Sequence, residues 1–418
     1  MKRSGFLAAG HLPTLIAALL YFDVSFMVWV LLGPLAPFLR ETLQLTATEQ
    51  GLVTAIPLLG GSLFRPILGL AGDRIGGRRT ALLGLGLTLV VLVGGWRLAR
   101  TPAELCVLGL CLGVAGASFA VALPLAARWY PPEYQGLAMG IAGAGNSGTV
   151  LATLFAPRIA ERFGWATAIG LAAVPVAIVF LIVALIARDS PRRAAAPSLR
   201  DYLSVCRDAD TFWLAGLYSL TFGGFVGLAS FLTTFFHEQY HLSRVAAGDV
   251  TTVVVIAGSL LRPVGGWIAD RIGGYRLLVG LLVAFSIAFA AVTATTSMVS
   301  ALVLLFLAMG LLGMGNGAVF QVVPQRFAHR MGTVTGVIGA AGGLGGFVLP
   351  TLLGAVKDAS GDYRIGLWLI AAAFLAGAIV LLELGARWSR RWPATAVERA
   401  GVFAYRSRDE RLPSGDAA

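Results

Sequence analysis

Two arginines lie deep inside long apolar segments of this 418-residue chain, at equivalent places in two near-copies of one phrase. The phrases are SLFRPILGLAGDRIGGRR, which contains Arg65, and SLLRPVGGWIADRIGGYR, which contains Arg262, and 11 of their 18 positions are identical. A guanidinium at such a depth costs about 2.5–3.5 kcal/mol on insertion scales. Two of them in one cavity also repel each other, so both charges need compensation.

An anion is the predicted partner of the two arginines. Asp23 is the one acid deep in an apolar segment, whereas Glu238 and Glu383 lie near segment ends. One carboxylate does not neutralise two arginines, so we expect a positively charged cavity that a bound anion completes. The planar guanidinium offers paired N–H donors and suits a small oxyanion. Pro66 and Pro263, directly after the arginines, are expected to kink their helices and turn the arginines toward this cavity.

The composition is that of a protein that crosses a membrane many times. The chain is 57% hydrophobic and 13% charged, with a mean hydropathy of +0.81. Roughly 20 apolar residues cross a bilayer as a helix, and such stretches lie at about residues 14–37, 50–71, 80–98, 103–127, 136–160, 165–187, 210–236, 246–269, 277–296, 300–325, 332–356 and 365–386. The sequence predicts an all-α fold with twelve transmembrane helices in a lipid bilayer, which we number as spans 1 to 12.

The repeated phrase indicates a duplicated six-helix unit. We expect a first half at residues 1–187, a charged, proline-rich linker at 188–209, a second half at 210–386 and a basic tail at 387–418. Parallel six-span repeats with a site between them near the bilayer midplane are typical of transporters that rock one half against the other. The two arginines would then face one central cavity.

The net charge of +11 comes mainly from arginines at span ends on one side. The termini, the linker and the loops at 74–79, 271–276 and 326–330 carry most of the 32 Lys and Arg residues. The positive-inside rule places this side, with both termini, in the cytoplasm of a bacterium, so the basic excess indicates topology and no binding of nucleic acid. The tail segment RWSRRW (Arg387 to Trp392) is expected to anchor beside anionic lipid or to bind a partner. We expect the monomer to be functional.

No group of residues indicates an enzyme, a cofactor or a metal. Cys106 and Cys111 fall inside span 4 and Cys206 in the linker, which gives no disulfide or metal framework. The sequence has neither a Walker-type phosphate loop nor a catalytic cluster of His, Cys and acid. Any transport must therefore be driven by the gradient of a solute.

The loops after spans 2 and 8 repeat the pattern Asp-Arg-Ile-Gly-Gly. The Gly pair permits a tight turn, and Asp73 and Asp270 can pair with arginines or a neighbouring helix N-terminus in only one of two conformations. We predict that Asp73, Arg74, Asp270 and Arg271 form a latch for a gate. The alternative is that these arginines only fix the topology.

Spans 5 and 11 are rich in glycine and read GLAMGIAGAGNSGTVLATLFAP and GTVTGVIGAAGGLGGFVLP. Small residues four apart let helices approach closely and slide. Asn146 places an amide inside the glycine-rich face of span 5, where it must hydrogen-bond to a partner helix or to a ligand.

These segments, with one arginine each in spans 2 and 8 and GMGNGAVFQVVPQRF in span 10, resemble the nitrate/nitrite porter family of the major facilitator superfamily. The resemblance covers about residues 14–386 and also includes the loop motif after spans 2 and 8. It implies that Arg65 and Arg262 bind nitrate or nitrite. The two family signatures match Gly140, Gly143, Gly145 and Gly148 in span 5 and Gly339, Gly342, Gly343, Gly345 and Gly346 in span 11.

The resemblance implies four further binding residues. Tyr218 and Phe222 in span 7 and Phe119 in span 4 would form aromatic walls, and Tyr218 and Asn146 would donate hydrogen bonds in a dry site. The alternative for Phe119 and Phe222 is packing alone. Span 11 departs from the pattern because a glycine and a leucine stand where a second asparagine is expected, which leaves the polar contacts on that side open.

Asp23 bears on the energy source. Exchange of nitrate for nitrite needs no titratable group, whereas symport with protons needs one, and Asp23 is the candidate for that group. The alternative is that Asp23 forms a structural salt bridge or accepts a hydrogen bond from an N–H group. Two other functions stay open on this sequence. One is a carrier of a larger organic anion, and the other is a sensor that does not transport, for which the short tail offers no evident signalling domain.

Overall fold

Twelve helices of membrane length make up most of the chain. The computed structural model describes residues 6–191, 199–327 and 331–403. Its spans are Leu12–Leu43, Ala47–Ile75, Gly77–Leu98, Pro102–Ala127, Tyr134–Phe163, Trp165–Ile186, Ala209–Tyr240, Arg244–Ile272, Gly274–Ala294, Met298–Phe327, Thr333–Ser360 and Arg364–Arg391. The predicted count of twelve is confirmed. Several helices extend beyond the predicted apolar stretches, most clearly spans 1, 2 and 12.

Three short helices lie outside the spans: Phe6–Ala9, Leu199–Cys206 in the linker, and Ala394–Ala400 after span 12. We call the side that carries these helices the terminal face and the other side the opposite face. Residues 1–5, 192–198 and 404–418 lie outside the described part, which therefore lacks the end of the basic tail and part of the linker.

Helix ends are set by ordinary capping chemistry. Thr46 and Glu49 form a capping box at the start of span 2, and Thr101 and Glu104 form another at the start of span 4. The first glycine of each predicted pair makes a tight turn: φ is 99° at Gly76, and the same turn recurs after span 8. These positive φ values favour glycine at both loops.

The two halves differ in the continuity of their helices. Four of the six spans in the first half are interrupted, whereas each described span of the second half is one helix. The interruptions fall at residues 30–31 in span 1, 117–118 in span 4 and 172 in span 6, and span 5 contains the 3₁₀ turn Ala144–Ser147. The 3₁₀ turn coincides with the AGNS part of the first glycine signature.

The halves are held together at the opposite face. Among the described residues, every ion pair that joins the halves lies there. The arginine–carboxylate pairs are Arg40–Glu238, Arg244–Glu41, Arg244–Glu161 and Arg158–Asp249. Asp358 of span 11 also accepts from the backbone N–H groups of Ala47 and Thr48 at 3.0 and 2.7 Å, where it faces the N-terminus of span 2.

A tyrosine completes this closed face. The hydroxyl of Tyr363 donates to Glu238 at 2.8 Å, and Glu238 also pairs with Arg40. Burial, together with the adjacent Glu238 carboxylate, raises the pKa of Tyr363, so the phenol stays protonated as a donor. The described ion pairs near the terminal face stay within one half. The structure is therefore closed at the opposite face.

The prediction that the end of span 12 lies at the lipid surface is wrong for Trp388 and Trp392. Trp388 and Trp392 are buried, stack on each other with ring centroids 4.5 Å apart, and donate to the carboxylate of Asp210 at 2.8 and 2.9 Å. Arg326 also donates to Asp210, at 2.6 Å. A carboxylate at the start of span 7 satisfies both indole N–H groups inside the protein, and only the arginines of this segment are exposed.

Replacement of Asp210 by alanine removes the acceptor that two indoles and Arg326 share. Because two buried N–H donors lose their partner, we expect the free energy of unfolding to fall by about 1–3 kcal/mol. Thermal denaturation in detergent measures the change. Asp362→Ala, at an exposed carboxylate beside its own helix N-terminus, is the control, and an equal shift in both variants would contradict the role of Asp210.

Candidate functional site

Arg65 is sealed in the middle of the protein and is only 2% exposed. Its Nε donates to the carbonyl of Gly116 at 3.1 Å, and its Nη1 donates to the carbonyl of Gly339. The break in span 4 makes the first acceptor available, because the N–H of Ala120 bonds to Ala117 instead of Gly116. The second acceptor belongs to span 11, so Arg65 bridges the halves.

Three aromatic rings surround the guanidinium of Arg65. Its central carbon lies 4.9 Å from the ring centroid of Trp29, 5.3 Å from Phe222 and 5.7 Å from Phe119. Trp29 is itself fixed, since its Nε1 donates to the carbonyl of Pro57 at 2.6 Å. The ring faces provide partial negative charge where the chain offers no carboxylate.

Arg262 lies half-buried at the wall of a cavity. Its central carbon is 5.8 Å from the ring centroid of Phe119 and 5.8 Å from that of Phe320. The hydroxyl of Tyr218 is within hydrogen-bonding reach of the Arg262 guanidinium. The ring of Phe119 therefore stands beside both arginines, as expected for residues of one site.

The cavity has a volume of about 370 Å³ and lies between the halves. Arg262, Asn146 and Phe119 line it, and its wall continues along spans 8 and 10 to Asp270 and Pro324 near the terminal face. Arg65, Tyr218 and Phe222 do not line it. They form a buried cluster behind it, in which Tyr218 and Phe222 stack with centroids 5.0 Å apart.

Each arginine keeps one buried nitrogen that has no hydrogen-bond partner in the part of the chain that the structure describes. These atoms are Nη2 of Arg65 and Nη1 of Arg262. Within the described residues neither arginine forms an ion pair with a carboxylate. A buried cation that lacks both a counter-charge and a full set of acceptors is expensive, so the arrangement is suited to an incoming anion.

Asp23 does not compensate the arginines in this conformation. Its carboxylate accepts from the hydroxyl of Ser147 at 2.7 Å and from the backbone N–H of Gly148. It therefore caps the helix Gly148–Phe163, which begins where span 5 is broken. This contact corresponds to the N–H acceptor role that the sequence left open for Asp23.

Asn146 is buried and lines the cavity, but its donors are turned to the backbone. In the amide orientation that satisfies both ends, Nδ2 donates to the carbonyls of Gly143 and Ala144 at 3.2 and 3.3 Å. The side chain thus stabilises the 3₁₀ turn that it belongs to. The donation from Asn146 to an anion stays a prediction, and it would require Nδ2 to leave these carbonyls.

The glycines of span 11 allow close packing on span 7 of the same half and on span 2 of the other half. A Cβ at Gly342 would lie 2.8 Å from the rings of Tyr218 and Phe222, and one at Gly343 would lie 2.8 Å from the carbonyl oxygen of Leu58 in span 2. Gly345 and Gly346 pack equally tightly against span 7. Gly339 has only ordinary contacts, and its contribution is the carbonyl that Arg65 binds.

The glycines of span 5 divide into two groups. A Cβ at Gly145 would lie 2.8 Å from the backbone nitrogen of Asp23, and Gly148 packs as closely on span 1. Nothing lies within 4 Å of a Cβ built at Gly140 or Gly143, which face the cavity. Close helix packing is therefore the role of only one group.

The loop residues of the predicted latch do not join the halves in this conformation. Asp73 pairs with Arg128 of the same half, and Arg271 stacks 3.6 Å above the ring of Trp267. Asp270 lines the cavity, and Arg74 is exposed. The latch stays a prediction for the conformation in which the terminal face is closed.

Sequence reasoning missed Trp29, Phe320 and Asn316. Trp29 and Phe320 are ring partners of the arginines, and Asn316 lines the cavity. Asn316 and Phe320 stand four residues apart in GMGNGAVFQ, which places them on one helix face. That spacing could have predicted that both face the same cavity. For Trp29 no signal exists, because every face of span 1 is apolar near it.

Comparison with known proteins agrees with this geometry. The Major Facilitator Superfamily model matches residues 17–350. Two similar sequences are the probable nitrate/nitrite transporter NarK2 of Mycobacterium tuberculosis and the nitrite extrusion protein of Bacillus subtilis. The first is 36% identical over 375 residues, covering 88% of this chain and 94% of that protein. The second is 32% identical over 377 residues, covering 88% and 92%.

Solved structures share the fold at low sequence identity. The xylose transporter XylE from E. coli in a partially occluded inward open conformation matches with a TM-score of 0.72 at 12% identity, over 89% of this chain and 98% of that one. A bacterial homologue of the lysosomal transporter Spinster matches with a TM-score of 0.61 at 18% identity, over 96% and 98%. The predicted twelve-helix fold is confirmed.

The glycines of the two signatures should respond differently to a methyl group. Gly343→Ala overpacks spans 2 and 11, so we expect it to lower the free energy of unfolding by about 1–3 kcal/mol. Gly140→Ala enters open space and is expected to leave stability unchanged or slightly raised. Thermal denaturation of both variants in detergent tests the difference, and equal destabilisation by both would show that the packing argument is wrong.

Proposed function

The chain belongs to the nitrate/nitrite porter family of the Major Facilitator Superfamily, and we propose that it moves nitrate or nitrite across a bacterial cytoplasmic membrane. The observation that carries this proposal is the pair of arginines, each with one buried guanidinium nitrogen that finds no partner among the described residues. The similarity to NarK2 and to the nitrite extrusion protein supports the same anions. The arginine distribution supports a cytoplasmic terminal face.

The position of the cavity supports an order of binding events. An anion that enters from the terminal face first meets Arg262 at the cavity wall, while Arg65 is still sealed behind the ring of Phe119. Movement of one half against the other then brings both guanidinium groups to the same anion. Phe119 is the ring that both arginines share, so it is the side chain that must shift in this step.

Release of Arg65 from Gly339 couples the anion to the movement. In the present conformation Arg65 ties span 2 to the carbonyl of Gly339 in span 11. An anion oxygen offers a stronger acceptor than a neutral carbonyl, because both partners then carry charge. Binding therefore replaces a contact between the halves and frees span 11 to move relative to span 2.

Exchange fits these charges better than symport. Without an anion, the change of conformation would carry two uncompensated guanidinium groups through the membrane interior, which is costly. If nitrate is carried in one direction and nitrite in the other, a bound anion neutralises charge on the arginines during both changes of conformation. In this scheme Asp23 caps the helix that begins at Gly148 in span 5. The observation that would support symport is that the carboxylate of Asp23 is half-buried.

The volume of about 370 Å³ favours one other candidate, a carrier of a larger organic anion. Two guanidinium groups bind a carboxylate as readily as an oxyanion of nitrogen. Counterflow with labelled nitrate against nitrite, chlorate, formate and a larger monocarboxylate separates the two. Competition by the larger monocarboxylate and not by nitrite would favour the organic anion.

Arg65→Lys and Arg262→Lys should each reduce transport although the charge is kept. An ammonium cannot form the paired, planar contact of a guanidinium, and loss of a hydrogen bond to a charged group corresponds to about a 10- to 100-fold fall in kcat/KM. Nitrate counterflow in proteoliposomes measures it. Arg97→Lys, at an exposed arginine of span 3, is the matched control, and near-normal nitrate affinity in either buried variant would overturn the site.

Proteoliposomes also test exchange. We expect rapid nitrate uptake into vesicles preloaded with nitrite and none into anion-free vesicles with an imposed pH gradient. Asp23→Asn keeps an acceptor for Ser147 and Gly148 and should retain exchange. Uptake driven by the pH gradient in the parent and lost in Asp23→Asn would establish symport instead.

A further inference from the structure

Asn316 in span 10 is a buried carboxamide without partners. The residue is 0% exposed, and neither its Oδ1 nor its Nδ2 has a hydrogen-bond partner among the described residues. A carboxamide can accept and donate at the same time, and leaving both ends unpaired in a low-dielectric interior is costly. Such a group in a native site indicates a ligand contact.

The side chain borders the cavity at the level of Arg262. Asn316 lines the same cavity wall as Arg262. Phe320, one helical turn further along span 10, has its ring centroid 5.8 Å from the Arg262 guanidinium carbon. Spans 8 and 10 are in close contact here, since a Cβ at Gly317 would lie 2.5 Å from the backbone nitrogen of Gly266. An orphan amide and an orphan guanidinium nitrogen thus border one space.

The other carboxamides in the cavity wall are already engaged. Asn146 donates to its own 3₁₀ turn. Gln321 accepts from the N–H of Gly274 at 2.9 Å and donates to the carbonyl of Arg399 at 2.9 Å. Among the described residues that line the cavity, Asn316 is therefore the carboxamide with both ends free.

We propose that Asn316 contacts the transported anion: its Nδ2 donates to an anion oxygen while its Oδ1 accepts from Nη1 of Arg262. This one arrangement satisfies both ends of the amide and the orphan nitrogen of Arg262. It also supplies from span 10 the polar contact for which span 11 has no asparagine. The inference rests on the proposed function, because it assigns a further residue to the same site.

Two substitutions test the contact. Asn316→Leu keeps the approximate volume and removes both polar ends, so the nitrate dissociation constant should rise about 10- to 100-fold. Asn316→Asp keeps an acceptor for Arg262 but places a negative charge where the anion binds. It should keep or raise the thermal midpoint while nitrate binding is lost, a combination that a purely structural amide would not produce.

Isothermal titration of nitrate into the purified full chain in detergent measures both variants. Ser230→Ala is the control, since its hydroxyl is also buried and unpartnered but does not line the cavity. Its nitrate affinity should equal that of the parent. Parent-like affinity in Asn316→Leu, or retained binding in Asn316→Asp, would overturn the inference while leaving the proposed function intact. A parent that binds no nitrate would overturn the proposed function, and the inference with it.

Discussion

The structure depends on one electrostatic constraint: two guanidinium groups must remain in the membrane interior without a carboxylate to neutralise them. At Arg65 the protein satisfies this constraint with neutral groups alone. A break in span 4 exposes the carbonyl of Gly116, close packing of span 11 brings the carbonyl of Gly339, and three aromatic rings surround the charge. Glycine signatures, broken helices and buried rings are thus parts of one solution.

Both halves carry an arginine at the equivalent place in the repeated phrase, but they hold it differently. Arg65 is sealed and bonded to two carbonyls, whereas Arg262 stands at the cavity wall among rings, a phenol and an unpartnered amide. The difference follows from the neighbours. Where span 4 has Gly116 and a break, span 10 is a continuous helix that places Asn316 and Phe320 beside the arginine. One arginine is sealed and bonded, and the other stands at the wall of the cavity.

Much of the fold was predictable because it follows from hydropathy and repetition. Twelve apolar stretches gave twelve spans, and the repeated phrase placed Arg65 and Arg262 in equivalent helices. The contacts of single side chains were not predictable in the same way. A helix that is apolar all round does not show which face turns inward, so Trp29 was missed.

Local backbone geometry accounts for the remaining differences. Asn146 was expected to face a ligand, but the sequence did not reveal the 3₁₀ turn that engages its amide. Trp388 and Trp392 were expected at the lipid surface, as tryptophans near span ends usually are. Asp210, far away in sequence, provides the acceptor that draws both indoles inside. The helix breaks at residues 30–31, 117–118, 144–147 and 172 all fall in the first half. Those in spans 4 and 5 lie beside Arg65 and the cavity, whereas the described spans of the second half are continuous helices. Because a break within a helix often marks a hinge, we expect bending of spans during transport to concentrate in the first half.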